Sequence, residues 1–263
     1  MATAYRSHNS TAWGGGHTNT TTTAPTGITN DDNLVLMHAI GAAGARPTPT
    51  MPTGFTVLTG YPITITDGGF LVDIRLAHKV AASESGDYTT THSSASSSQI
   101  VVCSSGGSAS TPTATTNNGT GTTSTATGQT TGANDAFVLY FGFDYDGNTA
   151  LTTVPAGTTP TFTERVDTNN QYCATGTWAS SGATGNKTQT NGNGGAAPWW
   201  AGLVVIEVAG AAAGQPITKR VGGVTFAGSR APGSGVKYWR ACPPAGWRDD
   251  GGVLAPTPHQ FAE

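Results

Sequence analysis

Asn33-Leu-Val-Leu-Met-His-Ala-Ile40 places six apolar residues in a run of eight, with Asn30-Asp-Asp32 before it and Gly41 after it. The run has the length of a strand, and turn-forming residues close it at both ends. Its apolar residues follow one another rather than alternating with polar ones, which is the pattern of a strand covered on both faces. Three further runs share this form: Phe70-Leu-Val-Asp-Ile-Arg-Leu-Ala77, Ala136-Phe-Val-Leu-Tyr-Phe-Gly-Phe143 and Gly202-Leu-Val-Val-Ile-Glu-Val208. These four runs are the expected core.

The surrounding composition agrees. Of 263 residues, 46 are Thr and 37 are Gly, only 10% are charged and 36% are apolar. Thr with Gly and Asn makes strands and tight turns, whereas the residues that favour helices are scarce. Low charge combined with compact apolar runs also separates the chain from disordered sequences, which join low hydrophobicity to high net charge. The net charge of −3 argues against nucleic acid as the main partner. No run approaches the ~18 apolar residues of a membrane span, and the first residues lack the basic flank and apolar stretch of a signal peptide. The expected fold class is all-β, an antiparallel jelly-roll-like β-sandwich.

An internal repeat organises the chain. At an offset of 103 residues, Asp32-Asn-Leu-Val-Leu36 falls on Asp135-Ala-Phe-Val-Leu139, and Pro52-Thr-Gly54 on Pro155-Ala-Gly157. Ile100-Val-Val102 falls on Leu203-Val-Val205, and Asn19 to Ala24 on Thr122 to Thr127, at the same offset. Between the second and third anchors the register slips by four, because Gly86-Asp-Tyr-Thr89 sits best against Gly185-Asn-Lys-Thr188. Residues 1–17 are then an N-terminal extension, and 18–210 a sandwich of two related halves (18–110 and 121–210). The halves make either two sandwiches or the two sheets of one; a single sandwich is favoured, since about 100 residues so rich in Gly and Thr would bury a thin core alone.

Residues 211–263 differ in character. Six of the twelve basic residues and only three acids lie from 215 onward, so this segment is net +3 and the remainder net −6. It reads as an extended C-terminal docking arm, with Lys219, Arg220, Phe226, Arg230, Tyr238, Trp239, Arg240, Trp247 and Arg248 as the residues that would meet a partner.

Motifs for chemistry are sparse. Cys103, Cys173 and Cys242 have no metal-ligand spacing, and the first two fall in expected strands, where a free thiol behaves as a small apolar side chain. Asp144-Tyr-Asp146-Gly-Asn148 resembles the start of a calcium loop, but the twelfth position, which requires Glu, is Pro155. Asp144, Asp146 and Asn148 are therefore weak metal candidates, with a strand-ending turn as the commoner reading; Asp31-Asp32 and Asp249-Asp250 have less support still. The histidines His8, His17, His38, His78, His92 and His259 are scattered, and His38 stands in an apolar run as a core or edge histidine. No nucleophile elbow, phosphate loop or His-Glu-x-x-His is present. Glu84, Glu164 and Glu207 would need to converge in space for glycoside hydrolysis. Trp178, Trp199 and Trp200 are candidate glycan contacts through their aromatic faces, although the Ala-Pro-Trp199-Trp200 step reads better as the opening of a strand with one Trp inside and one at an interface.

Several turn and strand segments resemble the β-sandwich structural proteins of tailed-phage virions. They are Thr20-Thr-Thr-Thr-Ala-Pro25 with Asn30-Asp-Asp-Asn-Leu-Val-Leu36, then Met51-Pro-Thr-Gly-Phe-Thr-Val-Leu58, then Ala77-His-Lys-Val-Ala-Ala82 with Gly86-Asp-Tyr-Thr89. The likeness runs from about residue 18 to 209 and brings no catalytic residues with it. It implies a non-enzymatic, multicopy virion protein without a cofactor: a capsid decoration, a head or collar fibre, or a minor tail component. The expected partners are capsid, collar or tail subunits and further copies of the chain. The alternative of another class is a receptor- or glycan-binding module that meets a host surface glycan; a glycan hydrolase ranks third. No membrane insertion is expected, and the expected location is the virion, assembled in the host cytoplasm.

Overall fold

The computed structural model describes residues 3–105, 111–132, 135–145, 155, 160–168, 170–190, 195–207, 217–221, 224–228, 247–249 and 254–256. Every regular element among them is a strand. The first half contributes β1 (Ala4–Thr22), β2 (Asn33–Ala43), β3 (Thr56–Val57), β4 (Ile63–Asp67), β5 (Phe70–Val80) and β6 (Tyr88–Ser105). The second contributes β7 (Thr113–Gly121), β8 (Thr123–Ala126), β9 (Thr130–Thr131), β10 (Ala136–Asp144), β11 (Thr163–Thr168), β12 (Gln171–Trp178), β13 (Gly182–Ala183), β14 (Lys187–Thr190) and β15 (Ala197–Ile206). Beyond them lie β16 (Ile217–Val221), β17 (Val224–Gly228), β18 (Trp247–Asp249) and β19 (Leu254–Pro256).

Met1–Gly210 and Ala211–Glu263 are two compact units. In the second, β16 pairs with β17 and β18 with β19 as antiparallel hairpins, so its described part is paired strand rather than extended chain. In the first, each half supplies one antiparallel sheet. One runs β1-β6-β2-β5-β3, with β4 also on β5; the other runs β11-β12-β10-β15-β7. With β1 matched to β7, β6 to β15, β2 to β10, β5 to β12 and β4 to β11, the order is the same. The halves are therefore the two sheets of one sandwich. Residues 4–17, set apart in the sequence as an extension, belong to its edge: β1 pairs with β6 from Ala4↔Ser105 to Thr22↔Tyr88.

Why the core runs do not alternate is now clear. Val35, Met37 and Ala39 of β2 face Leu139, Phe141 and Phe143 of β10 in a core shared by the two sheets. Leu34 and Leu36, on the opposite face, pack with Val101, Cys103, Phe55 and Tyr88. Part of the second cover is a ribbon, joined there by Phe55, Met51 and Ala24: β1 and β6 both continue past the sheet, and their far ends, Asn19 to Thr22 and Tyr88 to Thr91, pair with each other, with Thr91 also bridging Thr50. The second half repeats the device with β8 and β14, beneath which Val138, Tyr140, Ala201 and Leu203 are buried. The turn from β4 to β5 is Asp67-Gly-Gly-Phe70, where Gly68 and Gly69 take φ of 51° and 92°. A two-residue hairpin of the type I′ kind needs positive φ at both positions, which glycine supplies without strain.

Between the halves the sequence match is displaced by one residue. An offset of 103 lays Val35 on Val138, yet Val35 faces the inner core and Val138 the outer one. The folded equivalence is 104 at the start: buried Thr20 and Thr22 match buried Ser124 and Ala126, and Asp31 matches Asp135, with φ of 69° and 59°. Side-chain periodicity in a strand is two, so an odd shift exchanges the faces. The match of Gly86 to Gly185 holds at the residue level, and against the folded offset of 104 the slip is five residues. Gly86 and Gly185 both take positive φ, and the hydroxyl pair Thr21–Thr89 at 2.9 Å has its counterpart in Thr125–Thr188 at 3.1 Å.

Candidate functional site

The densest polar cluster lies beneath the first ribbon. On β2 the outward series Leu34, Leu36, His38 brings an imidazole into the outer core, in register with Arg75 of β5 and Gln99 of β6. The ribbon lowers Thr20, Thr90 and His92 onto it; all are buried or nearly so, and His38 is wholly inaccessible. Thr20 Oγ1 is the hub, 3.3 Å from His38 Nε2 and 3.0 Å from His92 Nε2, and it donates to Ser97 Oγ at 2.6 Å. His92 Nδ1 donates to the Ser93 carbonyl at 2.8 Å. His38 Nδ1 has no partner, so the neutral ring carries its proton on Nε2, directed at Thr20. Thr90 Oγ1 donates to Gln99 Oε1 at 2.6 Å, and Gln99 Nε2 to the Tyr88 carbonyl at 3.0 Å.

Charge around the cluster is one-sided. The rings of His38 and His92 are 5.8 Å apart. Arg75 meets Asp73 at 3.5 Å, and Asp73 is itself held by Thr64 Oγ1 at 2.6 Å. Burial, then His92 and Arg75, push the His38 pKa down to about 3. A sealed imidazole at His38 with a buried guanidinium beside it resists a proton while closed and takes one up once opened.

A cleft of about 690 Å³ lies between the β3–β5 edge of the first sheet and the start of β7, lined by Thr56, Leu58, His78, Lys79, Thr113 and Ala114 among others. His78 Nε2 donates to Asn33 Oδ1 at 3.0 Å, and burial lowers its pKa to about 4. Lys79 Nζ sits 2.8 Å from Glu84 Oε1, and Glu84 also accepts from the Tyr88 hydroxyl. This carboxylate is a structural tie among Lys79, Tyr88 and the Ala82 amide.

The other residues singled out in the sequence are dispersed. Trp200 is fully buried; its Nε1 donates to Thr116 Oγ1 at 2.7 Å and its ring meets Tyr61 edge-on at 6.0 Å. Trp199 is 8% exposed and its ring lies against Gly119. Neither presents a face to solvent, which corrects the reading of this pair as a glycan platform. Trp178 closes β12 half-buried, with Lys187 Nζ 5.5 Å from its ring centre. Asp144 is buried, its main chain tied to Asn170 at 2.9 and 2.8 Å; Asp146 and Asn148 lie outside the described residues. No group of three His, Cys, Asp or Glu is placed to hold a metal among the described residues.

Asp32 is an internal tie, 2.8 Å from Arg6 Nε and accepting from the Thr29 amide. Glu164 lies on β11, and Glu207 follows β15 and accepts from the Gly132 amide at 2.5 Å. Cys103 and Cys173 are buried free thiols, as their strand positions implied; burial and neighbouring Asp32 push the Cys103 thiol up to about 12. Cys242 lies outside the described residues. Of the docking residues, Lys219 and Arg220 fall on β16, Phe226 on β17, and Trp247 and Arg248 on β18; Arg230, Tyr238, Trp239 and Arg240 are outside the described residues. The His38–His92–Thr20 cluster was not singled out. One signal for it existed: the five histidines before residue 104 all lie in the first half, and 104–210 contains none.

The fold defines the protein as an all-β sandwich of two like sheets, each with its own covering ribbon. No protein-family model matches the chain, and no match is found among curated proteins or solved structures.

Proposed function

We propose that the protein is a non-enzymatic structural component of a tailed-phage virion, present in many copies, whose sandwich projects from the particle and whose C-terminal unit fastens it. The observation that carries this reading is a coincidence of boundaries. The compact units divide at Gly210/Ala211, and at the same place the chain changes from net −6 to net +3 and becomes richer in Trp and Arg. A basic, aromatic unit beside an acidic body suits docking: aromatic side chains supply buried area, and Lys and Arg pair with acids on the partner and set the orientation. The turn and strand segments that resemble phage sandwich proteins add support for the body of the chain. A capsid, collar or tail subunit is the partner this chemistry fits.

The test is truncation after Gly210 in a phage that supplies this chain only from a plasmid. The shortened chain is expected to fold, by circular dichroism and thermal melting, and to be missing from purified particles. Incorporation at the full-length level would overturn the proposal. Charge reversal at Arg220→Glu with Arg248→Glu is expected to reduce incorporation at least tenfold with the sandwich unchanged.

A further inference from the structure

We propose that the first ribbon, residues 17–22 with 88–95, is an acid-released latch: protonation of His38, sealed beneath His92, lifts it from the outer face of the first sheet, while the second ribbon stays closed. The geometry places one imidazole on each side of the seam. His38 is fixed to the sheet and His92 to the ribbon, their rings 5.8 Å apart, and both Nε2 atoms meet at the single hydroxyl of Thr20. That hydroxyl has one proton, which it gives to Ser97.

The groups facing the pair offer little to neutralise added charge. From β5 come Arg75, a cation, and Asp73, already engaged by Arg75 and Thr64. From β6 come Ser97, Gln99 and Thr90, and from β1 Thr20; these are neutral. His17 is exposed on β1, and His8 lies near its other end, bonded to the Tyr5 hydroxyl at 2.6 Å. A second cation beside Arg75 in a water-poor space is strongly disfavoured, so proton uptake and opening go together.

The sign follows from linkage. His38 is held far below its ordinary 6.5 in the closed state, so the open state binds more protons at every pH between the two values. Opening is therefore suppressed above about 6.5 and grows as the pH falls, by at most about tenfold per pH unit for the one proton taken up at His38. Release would withdraw Tyr88 from the outer core that holds Leu36 and Val101.

The repeat supplies the control. The second ribbon closes over Tyr140, whose hydroxyl meets Ser124 Oγ at 3.0 Å, and its half has no histidine. Hydrogen–deuterium exchange on the full chain from pH 7.0 to 4.5, corrected for the intrinsic pH dependence of exchange, is the measurement. Exchange in 17–22 and 88–95 is expected to rise at least tenfold, with 123–126 and 187–190 unchanged. The double variant His38→Gln with His92→Gln is expected to lose the rise. A flat response in the wild-type chain, an equal rise in both ribbons, or an undiminished rise in the double variant would each overturn the latch. The comparison of the two ribbons in the wild-type chain requires no variant to fold.

Discussion

Trp200 and Gly202 are two positions apart on β15 and therefore share a face. The Trp200 ring lies back over Gly202: a Cβ at that glycine would stand 2.6 Å from Trp200 Cζ2 and 3.0 Å from the Tyr61 hydroxyl. Trp199 makes the same use of a neighbouring strand, where a Cβ at Gly119 would stand 2.9 Å from its ring. Each glycine thus leaves room for an indole that covers the strand in its place. Gly202→Ala is expected to push Trp200 off its position and cost about 1–3 kcal/mol by overpacking, read as a lower urea midpoint with the slope unchanged. Gly202→Ala combined with Trp200→Phe, which withdraws the larger ring, should recover part of that loss. If Gly202→Ala alone leaves the midpoint in place, the indole is not held there by the missing side chain.

At the scale of the element, abundant Thr finds its physical use in the ribbons. Where β7 ends and β8 folds back, ordinary ladder bonds give way to side chains: Thr115 Oγ1 donates to the Thr127 carbonyl, and Asn117 Nδ2 to the Thr125 carbonyl at 3.0 Å. In the first half Ser7 Oγ donates to the Thr26 carbonyl and Thr11 Oγ1 to the Thr21 carbonyl, each at 2.6 Å. A hydroxyl on an edge strand thus bonds carbonyls of the ribbon and of the turn beside it. Asn117→Ala is expected to cost about 1 kcal/mol and to raise hydrogen exchange at 123–126 without changing β10; a rise spread evenly over the second sheet would mean that the bond does not act locally. The strands themselves were legible because Leu34 to Ile40 and Phe137 to Phe143 must be buried whichever way they pair. Their register was not, because a run covered on both faces has no alternation to fix which side chain points inward. That is why an offset of 103 found the right elements and exchanged their faces. The ribbons were hidden for a related reason: β1 and β6 each run from sheet into ribbon as one strand, and Gly14-Gly-Gly16, where β1 shifts register and Gly16 takes a φ of 77°, marks the passage without ending the strand. The His38–His92 cluster lay beyond reach with them, since residues 38 and 92 meet only after the ribbon folds over.

At the scale of the whole molecule, the contacts between sheets are reciprocal. β1 lies against β11 and β12, and β4 against β7 and β15. Because β1 corresponds to β7 and β4 to β11, each half offers the other the same pair of edges, which is the arrangement of a two-fold interface within one chain. Its centre is a single apolar cluster drawing on Met37, Ile74 and Ile100 from one sheet and Leu139, Phe141 and Val204 from the other. At its rim Trp13 meets Phe143 edge-on at 5.0 Å, Arg165 stacks 3.6 Å from the Tyr5 ring centre, and Gln171 Nε2 donates to the Thr11 carbonyl at 2.9 Å. A cavity in this shared layer removes contacts from both sheets, whereas one beneath a ribbon removes them from one half. Phe141→Ala is therefore expected to cost about 3–5 kcal/mol and to raise exchange in β2 and β10 together. Leu36→Ala, in the outer core of the first half, is expected to cost about 2–5 kcal/mol and to loosen residues 17–22 and 88–95 before it affects β10. Exchange that rises in β10 alone after Phe141→Ala would mean that the halves are separate folding units that merely touch; a common rise makes the sandwich one cooperative body.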